Sequence, residues 1–172
     1  MKIPLVTIVG RPNVGKSTLF NRIVGMRVAI VSNVPGTTRD RLFHKVENPE
    51  MDFFLVDTGG IEAEVGEKSI EGDIQKQSRI ALEESDLILF LVDALVDLLR
   101  DDFHAAELLR KLAGKKSVIL VANKCDEKLD NTQLAPLYKL GIGNPIQVSS
   151  LHGKGLIFWL GGLFTNSRRD IF

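Results

Sequence analysis

The sequence GRPNVGKS at residues 10–17 matches the pattern G-x-x-x-x-G-K-[ST]. It lies between an apolar run rich in β-branched residues, Leu5–Val9, and a helical stretch, Lys16–Val24, so it is expected to join a strand to a helix. Glycines let the backbone bring its N–H groups close to phosphate oxygens, and the start of the following helix favours an anion. The octapeptide therefore predicts a phosphate-binding loop, with Lys16 reaching the β- and γ-phosphates and Ser17 binding Mg²⁺. The alternative, an accidental glycine turn, is disfavoured by this strand-and-helix context.

Apolar runs continue to alternate with helical stretches along the rest of the chain. The predicted strands are Arg41–Val46, Phe53–Val56, Leu87–Val92, Val118–Ala122 and Ile146–Val148. The predicted helices are Ser69–Glu84, Asp102–Leu112, Thr132–Leu140 and, despite two internal glycines, Gly155–Phe164. This alternation favours an α/β fold with a mostly parallel sheet and helices on both faces. Ligands of such sheets bind beyond the carboxyl ends of the strands, where the polar and glycine-rich clusters of this sequence lie.

The composition is that of a globular domain. A length of 172 residues suits one domain, and a hydrophobic content of 44% excludes an intrinsically disordered chain. The apolar runs are too short for a membrane helix, so no membrane association is expected. Because the chain holds a single cysteine, Cys125, an internal disulfide framework is excluded. A lone cysteine fits a reducing compartment, which predicts a cytoplasmic protein.

The net charge of zero hides an uneven distribution. The 22 basic and 22 acidic residues cancel, which argues against a dedicated nucleic-acid-binding domain. Residues 1–45 hold eight basic residues and one acidic residue, and residues 46–93 hold three basic and thirteen acidic residues. Residues 94–172 hold eleven basic and eight acidic residues. The basic part thus contains the predicted phosphate loop, where an anionic ligand would lie.

A candidate base-reading segment, Asn123-Lys124-Cys125-Asp126, follows a predicted buried strand. A carboxylate there can accept hydrogen bonds from the N1–H and 2-amino groups of guanine, whereas adenine offers neither donor in that arrangement. Since unmatched buried polar groups are costly, such a site discriminates strongly between bases. Taken alone, the segment is equally well a solvated turn, but together with a phosphate loop it predicts guanine recognition.

Two other features near these motifs carry less information. Ser149-Ser150-Leu151 follows the last predicted strand, and its backbone is expected to meet the guanine O6. His152 is predicted to be a surface loop residue rather than a catalyst. Cys125 has no histidine close to it in sequence and is predicted to be structural.

Two segments are candidates for the metal side of the site. Asp57-Thr58-Gly59-Gly60 ends a predicted strand, so Asp57 can hold Mg²⁺ through water and the Gly60 N–H can bond the γ-phosphate. Thr37 and Thr38 lie in a polar loop, and one of their hydroxyls can complete the Mg²⁺ shell. Taken alone, the first segment is more commonly a strand-ending turn, and the threonines are equally well capping or turn residues.

In this order, these segments resemble the translation-factor-like GTPases. Four of them resemble more narrowly the first GTPase domain of the EngA/Der family of bacterial ribosome-assembly GTPases: Gly10–Ile23 (GRPNVGKSTLFNRI), Val34–Arg41 (VPGTTRDR), Asp57–Glu62 (DTGGIE) and Asn123–Asp126 (NKCD). The resemblance covers nearly the whole chain. It implies a three-layer P-loop NTPase fold of the Ras-like G-domain type, with a six-stranded, mostly parallel sheet and five helices. It also implies Mg²⁺-dependent hydrolysis of GTP to GDP and phosphate, and action on the large ribosomal subunit.

The resemblance assigns roles to individual residues of this sequence. Those implied to surround the phosphates are Gly10, Arg11, Pro12, Asn13, Val14, Gly15, Lys16, Ser17, Thr18, Asp57, Thr58, Gly59, Gly60 and Ile61. Those implied to surround the guanine are Asn123, Lys124, Cys125, Asp126, Ser149, Ser150 and Leu151. The implied Mg²⁺ ligands are Ser17, Thr38 and, through water, Asp57. The implied catalytic set is Lys16, Thr38, Gly60 and Asn13.

The residue after the glycine pair bears on the rate of hydrolysis. Many GTPases carry a glutamine there that orients the attacking water, whereas this chain has Ile61, whose side chain cannot do so. Resemblance to GTPases with a hydrophobic residue at this position implies that Asn13 helps to hold a K⁺ ion where an arginine finger would otherwise act. Alternatively, Asn13 only stabilises the loop. Because Ile61 cannot orient the water and Asn13 is implied to hold K⁺, we predict slow GTP turnover that K⁺ stimulates. The alternative function is a nucleotide-gated binding module with negligible turnover.

The chain departs from the family pattern in three places. Family members usually carry two GTPase domains in tandem and a C-terminal RNA-binding-like domain. Residues 1–172 are therefore expected to form one monomeric domain, the first of a longer protein whose other domains hold the ribosome. Ser149-Ser150 stands where the family usually has Ser-Ala, which should leave the backbone role intact. The segment Ala94–Asp101 (ALVDLLRD) lacks the glycine often found after that strand, which leaves the shape of that loop open.

Overall fold

A computed structural model describes residues 3–25, 43–47, 51–58, 81–113 and 116–156 of the protein, and a six-stranded sheet forms the centre of this part. The strands are β1 (Leu5–Val9), β2 (Phe43–Val46), β3 (Phe53–Asp57), β4 (Leu87–Asp93), β5 (Ser117–Asn123) and β6 (Ile146–Gln147). Their order is β2-β3-β1-β4-β5-β6. Strand β2 runs antiparallel to β3, and the other neighbouring strands pair in parallel. The predicted α/β class with a mostly parallel six-stranded sheet is confirmed.

Three α-helices have both ends within the described residues: α1 (Lys16–Val24), α2 (Arg100–Ala113) and α3 (Asn131–Leu134), the last followed by a 3₁₀ helix, Ala135–Leu140. The prediction of one continuous helix over Thr132–Leu140 was wrong. Pro136 has no N–H, so it cannot make the α-helical bond to the carbonyl of Thr132. The N–H of Ala135 bonds to that carbonyl instead, three residues back, and the chain tightens into 3₁₀ geometry.

Two other predicted helices are described only at one end. Residues 81–84 are helical and form the end of the predicted helix Ser69–Glu84. Of the predicted helix Gly155–Phe164, the described residues end at Leu156, which has helical conformation. The rest of both predictions lies outside the described residues. Within the described residues, no helix combines the length and the hydropathy that crossing a membrane would require.

Apolar side chains cover both faces of the sheet, as β4 shows. Its side chains at alternate positions point to opposite faces. Leu87, Leu89 and Leu91 pack in one buried cluster with Leu19 and Ile23 of α1. Ile88, Phe90 and Val92 pack in a second cluster with Ala106 and Leu109 of α2. Helices therefore lie on both faces, as predicted, and a strand buried on both sides reads as a continuous apolar run.

The parallel strands bring the polar motifs together at one edge of the sheet. Strands β1, β3, β4 and β5 are mutually parallel in the sheet, so their carboxyl ends meet there. The octapeptide at 10–17 follows β1, Asp57 ends β3, Asp93 ends β4, and Asn123 ends β5. This edge is therefore where a ligand would bind.

Gly10→Ala is expected to destabilise the fold, because a Cβ at this position would lie 2.3 Å from the carbonyl oxygen of Leu91 in β4. We expect the free energy of unfolding, measured by urea denaturation, to fall by about 1–3 kcal/mol. Gly143→Ala is the control: its φ is +124°, but no described atom lies within 4 Å of an added Cβ. That variant carries backbone strain without a clash, so equal losses in the two variants would contradict the packing argument.

Candidate functional site

The loop at 10–17 wraps around the ammonium group of Lys16, the first residue of α1. Lys16 is buried, and its Nζ donates hydrogen bonds to the carbonyl oxygens of Gly10 at 2.7 Å and Arg11 at 3.1 Å. Gly15, the N-cap residue of α1, has a φ of +100°, a conformation that favours glycine. Asn13 has a φ of +67°, which asparagine tolerates better than most residues. The loop thus directs a cation and the N-terminus of a helix toward the same place, as an anion site requires.

One buried amide joins this loop to the two loops that follow β5 and β6. The Asn123 Nδ2 donates to the carbonyl oxygen of Val14 at 2.8 Å. Its Oδ1 accepts from the backbone N–H and the hydroxyl of Ser150, at 3.0 Å and 2.8 Å. A Cβ on Gly15 would lie only 2.4 Å from the Asn123 Nδ2, so the two segments are in close contact. Asn123 therefore fixes the geometry of the site through its neighbours.

Beside this junction lies a cavity of about 250 Å³. The phosphate loop and α1 contribute Gly15 and Thr18 to its lining. The loops after β5 and β6 contribute Asn123, Lys124, Asp126, Ser150 and Leu151. Leu95, in the loop after β4, completes the lining.

Asp126 is held at this cavity by neighbouring polar groups. Its Oδ1 accepts a hydrogen bond from the Ser149 hydroxyl at 2.6 Å, and its backbone carbonyl accepts from the Lys154 Nζ at 2.6 Å. The Nε2 of His152 lies 3.7 Å from the Asp126 Oδ2. The carboxylate is thus oriented while its side chain stays half exposed. Such a group can accept hydrogen bonds from a ligand in the cavity.

Lys124 also has a left-handed backbone, with a φ of +68°, and its Nζ lies 2.6 Å from the Oδ2 of Asp93. Asp93 is buried at the end of β4, and its Oδ1 accepts the backbone N–H of Leu95 at 3.0 Å. Sequence reasoning missed Asp93. An acid that closes an otherwise apolar strand at the ligand-binding edge was the available signal.

The metal side of the site is described in part. The Ser17 hydroxyl donates to the Oδ2 of Asp57 at 3.0 Å, which places a hydroxyl and a carboxylate oxygen together. These are ligands that Mg²⁺ accepts, and it usually takes one or two carboxylates together with substrate phosphates. Within the described ranges, no group of three or more His, Cys, Asp or Glu side chains could hold a metal ion.

Other predicted residues of this side lie elsewhere. Thr58 is buried, and its Oγ1 donates to the carbonyl oxygen of Ile8 at 3.0 Å, so its hydroxyl is engaged with β1. Thr38, Gly59, Gly60 and Ile61 lie outside the described residues.

Cys125 faces the core although its neighbours in the segment line the cavity. Its Sγ donates to the carbonyl oxygen of Ala122 at 3.3 Å. Its backbone N–H donates to the carbonyl oxygen of Val148 at 3.0 Å. Burial raises the pKa of the Cys125 thiol. A protonated, buried thiol suits packing rather than chemistry. The side chain of Cys125 is therefore a structural element of this turn.

Two arginines position loops of the site through contacts that the sequence did not predict. The Nε of Arg22, in α1, donates to the carbonyl oxygen of Ser150 at 3.0 Å, and its Nη2 bonds to that of Leu151. The Nε of Arg11 donates to the Oδ2 of Asp102 in α2 at 3.1 Å. Both contacts join residues about 90 or more positions apart, so only the folded chain creates them.

Arg11→Met is expected to destabilise the protein, because the side chain of Asp102 is only 2% exposed and that of Arg11 only 15% exposed. The substitution removes the ion pair, and the buried carboxylate keeps a hydrogen bond from the backbone N–H of Leu99 at 2.9 Å. Breaking such a pair costs about 3 kcal/mol, which urea denaturation measures. Lys111→Met is the control, since it removes an exposed ion pair with Glu107 and should change nothing measurable. Equal stability of the two variants would refute this role of the buried pair.

Comparison with known proteins gives a consistent result. A family described as "50S ribosome-binding GTPase" matches residues 5–124. GTPase Der from Clostridium acetobutylicum is 47% identical over 156 residues, which are 91% of this chain and 35% of that protein. GTPase Der from Staphylococcus aureus (strain JH9) is 46% identical, with the same two coverages. The chain thus spans about a third of the length of these relatives.

Solved structures agree with this assignment. A variant of Era from Aquifex aeolicus bound to GDP·AlF₄⁻ superposes with a TM-score of 0.67 at 31% identity, over 95% of this chain and 56% of that one. Era in complex with MgGDPNP and a segment of 16S ribosomal RNA superposes with a TM-score of 0.66 at 28% identity, with the same coverages. The resemblance to the EngA/Der proteins is confirmed, and the chain belongs to the 50S ribosome-binding GTPase family.

Proposed function

We propose that this protein binds GTP and hydrolyses it to GDP and phosphate with Mg²⁺. The observation that carries the proposal is the position of Asn123, which bonds the loop at 10–17 through Val14 and stands three residues before Asp126. This hydrogen-bonded junction places an anion-binding loop and an exposed carboxylate at one cavity. A guanine nucleotide has both a polyphosphate and a donor edge, so its two ends match the two parts of the site.

The proposed roles follow from the positions of the side chains. Lys16 and the N-terminus of α1 would hold the phosphates, where charge accumulates during transfer. Asp126 would accept from the N1–H and 2-amino group of guanine, and the backbone at 149–151 would meet the O6. Asn123 would hold the phosphate loop and the loop after β6 in place through its hydrogen bonds to Val14 and Ser150. Because phosphoryl transfer needs little covalent chemistry from the protein, such positioning is its main contribution.

Ser17 and Asp57 would hold the Mg²⁺ ion, the aspartate through water, and we propose Thr38 as a third ligand. The ion would neutralise charge on the β- and γ-phosphates. The 3.0 Å hydrogen bond between Ser17 and Asp57 supports this assignment, because it keeps both oxygens at the amino end of α1. Gly60 is proposed to bond the γ-phosphate.

We propose further that hydrolysis is slow and that K⁺ stimulates it. Ile61 cannot orient a water molecule, so a cation near the phosphates would have to supply transition-state stabilisation. Asn13 is the proposed protein ligand of that cation. Its side chain is exposed at the tip of the loop, in a left-handed backbone conformation.

GTP turnover in KCl is expected to exceed turnover in NaCl at equal ionic strength by at least about tenfold. This stimulation should stay smaller than the rate increase of about 10³–10⁵ that an arginine finger supplies. Phosphate release under saturating GTP and Mg²⁺ measures this difference. Asn13→Gly, which removes the amide but accommodates the φ of +67°, should reduce the difference without changing the affinity for GDP by more than about twofold. Equal rates in the two salts would contradict a K⁺ site.

A second candidate function is a nucleotide-gated binding module, which Ile61 also favours. In that case GTP would order the loops that hold Thr38 and Gly60, and hydrolysis would be only a slow timer. Tight GTP binding with negligible turnover in every cation would select the module. Turnover that K⁺ raises and Lys16→Ala removes would select the enzyme.

The cellular role is proposed from the relatives. The matching family is described as ribosome-binding, and one Era structure contains a segment of ribosomal RNA. We propose that this chain acts as a monomeric domain, the first of a longer cytoplasmic protein, in assembly of the large ribosomal subunit. Its zero net charge gives it little electrostatic attraction for RNA, so the other parts of such a protein would supply most ribosome contacts.

A further inference from the structure

An exposed leucine outside every predicted motif lines the cavity. Leu95 belongs to the segment Ala94–Asp101, which departs from the family pattern and follows β4. It is 62% exposed and nevertheless contributes to the cavity lining, as does Leu151, which is 64% exposed. Most of the other lining side chains are polar. The cavity therefore combines polar groups with two accessible apolar side chains.

The position of Leu95 is set by the same groups that set Lys124. The backbone N–H of Leu95 bonds to one carboxylate oxygen of Asp93 at 3.0 Å, and the Lys124 Nζ lies 2.6 Å from the other. The N–H of Ala94 donates to the carbonyl oxygen of Asn123 at 3.0 Å. The turn at 94–95 is thus fastened to the base-reading segment directly through the bond from Ala94 and indirectly through the Asp93 carboxylate. The backbone that carries the Leu95 side chain therefore has a defined place beside the cavity.

A purine nucleoside has a polar edge and apolar ring faces, so a complementary site needs groups of both kinds. Asp126 would recognise the edge under the proposed function, and Leu95 and Leu151 are the wholly apolar side chains in the cavity lining. We propose that Leu95 is a nucleotide-contacting residue that packs against an apolar face of the bound nucleoside. It would add affinity without reading the identity of the base. This inference rests on the proposed function.

The competing interpretation is that Leu95 belongs to a protein-docking surface with its exposed neighbours Val96, Leu99 and Phe103. These neighbours do not line the cavity. The two interpretations differ in what they expect of the nucleotide. A docking residue would leave nucleotide affinity unchanged, whereas a contacting residue would not.

The test compares the dissociation constants of GDP and inosine diphosphate, measured by calorimetry with Mg²⁺ on the whole chain. Leu95→Ala should raise both constants about five- to twentyfold, because apolar contact area is lost. The ratio of the two constants should stay the same, since the 2-amino group is not involved. Leu95→Met should restore affinity to within about twofold. Val96→Ala, the matched control, should have no effect.

Three outcomes would overturn the inference: no change in Leu95→Ala, an equal change in Val96→Ala, or a loss confined to GDP. Unfolding midpoints of all variants should agree, because both side chains are largely exposed. Failure of the proposed function is recognised separately. In that case the unaltered chain would not bind GDP, whereas failure of this inference alone leaves GDP binding intact and sensitive to Asp126→Asn.

Discussion

Lys16→Ala is expected to lower GTP turnover at least about 100-fold, which is the usual consequence of removing one preorganised donor from developing charge. The ammonium group is held within the loop by the carbonyl oxygens of Gly10 and Arg11, which fix its position in the absence of a ligand. Alanine removes both the charge and these hydrogen bonds. Phosphate release under saturating GTP, Mg²⁺ and KCl measures the effect.

The control for this experiment is Lys111→Ala on α2, which removes a lysine whose side chain is 70% exposed. It should leave turnover unchanged. Because Lys16 is buried, the unfolding midpoint of Lys16→Ala must also be measured, and Lys16→Arg serves as a second variant. Arginine keeps the charge but has a planar fork, so it should not restore turnover. A folded Lys16→Ala protein with normal turnover would contradict the assignment of this lysine.

Asp126→Asn is expected to weaken GTP binding by at least about 100-fold and to improve binding of xanthosine triphosphate. Asparagine presents one acceptor and one donor, whereas guanine offers two donors, so a repulsive pair of N–H groups is buried. Xanthine carries a carbonyl at position 2 and therefore matches the new donor. Competition between the two nucleotides, measured at equilibrium, gives the change in specificity directly.

Asp130→Asn is the matched control, since it makes the same chemical change four residues away. Asp130 caps α3 by accepting from the N–H groups of Thr132 and Gln133 at 2.8 Å and 2.9 Å. Asparagine is an equally good N-cap residue, so stability should be retained. The Asp126 variant should also fold, because the new side-chain oxygen can still accept from the Ser149 hydroxyl. Unchanged preference for GTP in Asp126→Asn would refute guanine recognition by this residue.

The central strands were predictable because their sequences are continuous apolar runs. Leu87–Val92 was predicted as a strand buried on both faces, and β4 extends one residue beyond it. Strand β1 and helix α1 have the predicted bounds, since the glycines at 10 and 15 separate them sharply. The continuous helix over Thr132–Leu140 failed because the prediction took no account of Pro136, which lies in the first turn of the 3₁₀ helix. The backbone N–H that proline lacks leaves no mark on the hydrophobic pattern of the sequence, although its absence decides which helical hydrogen bonds can form.

The contacts that organise the site were less predictable than its motifs. Asp93 holds both Lys124 and Leu95, yet it ends a strand that reads simply as core. Arg22 reaches the carbonyl oxygens of Ser150 and Leu151 across 128 and 129 positions of sequence. Such contacts depend on where strands end relative to each other. Local sequence carries no information on that register.

The class of fold, the family and the chemical types of the candidate site residues could all be predicted from the amino-acid sequence. Local patterns suffice for these, because a glycine-lysine-serine loop between a strand and a helix has few other uses. The folded chain was needed to show that Asn123 joins the loops, that Cys125 faces the core and that Leu95 lines the cavity. The physical reason is that strand order and register, set by burial of both sheet faces, bring together residues that are distant in sequence.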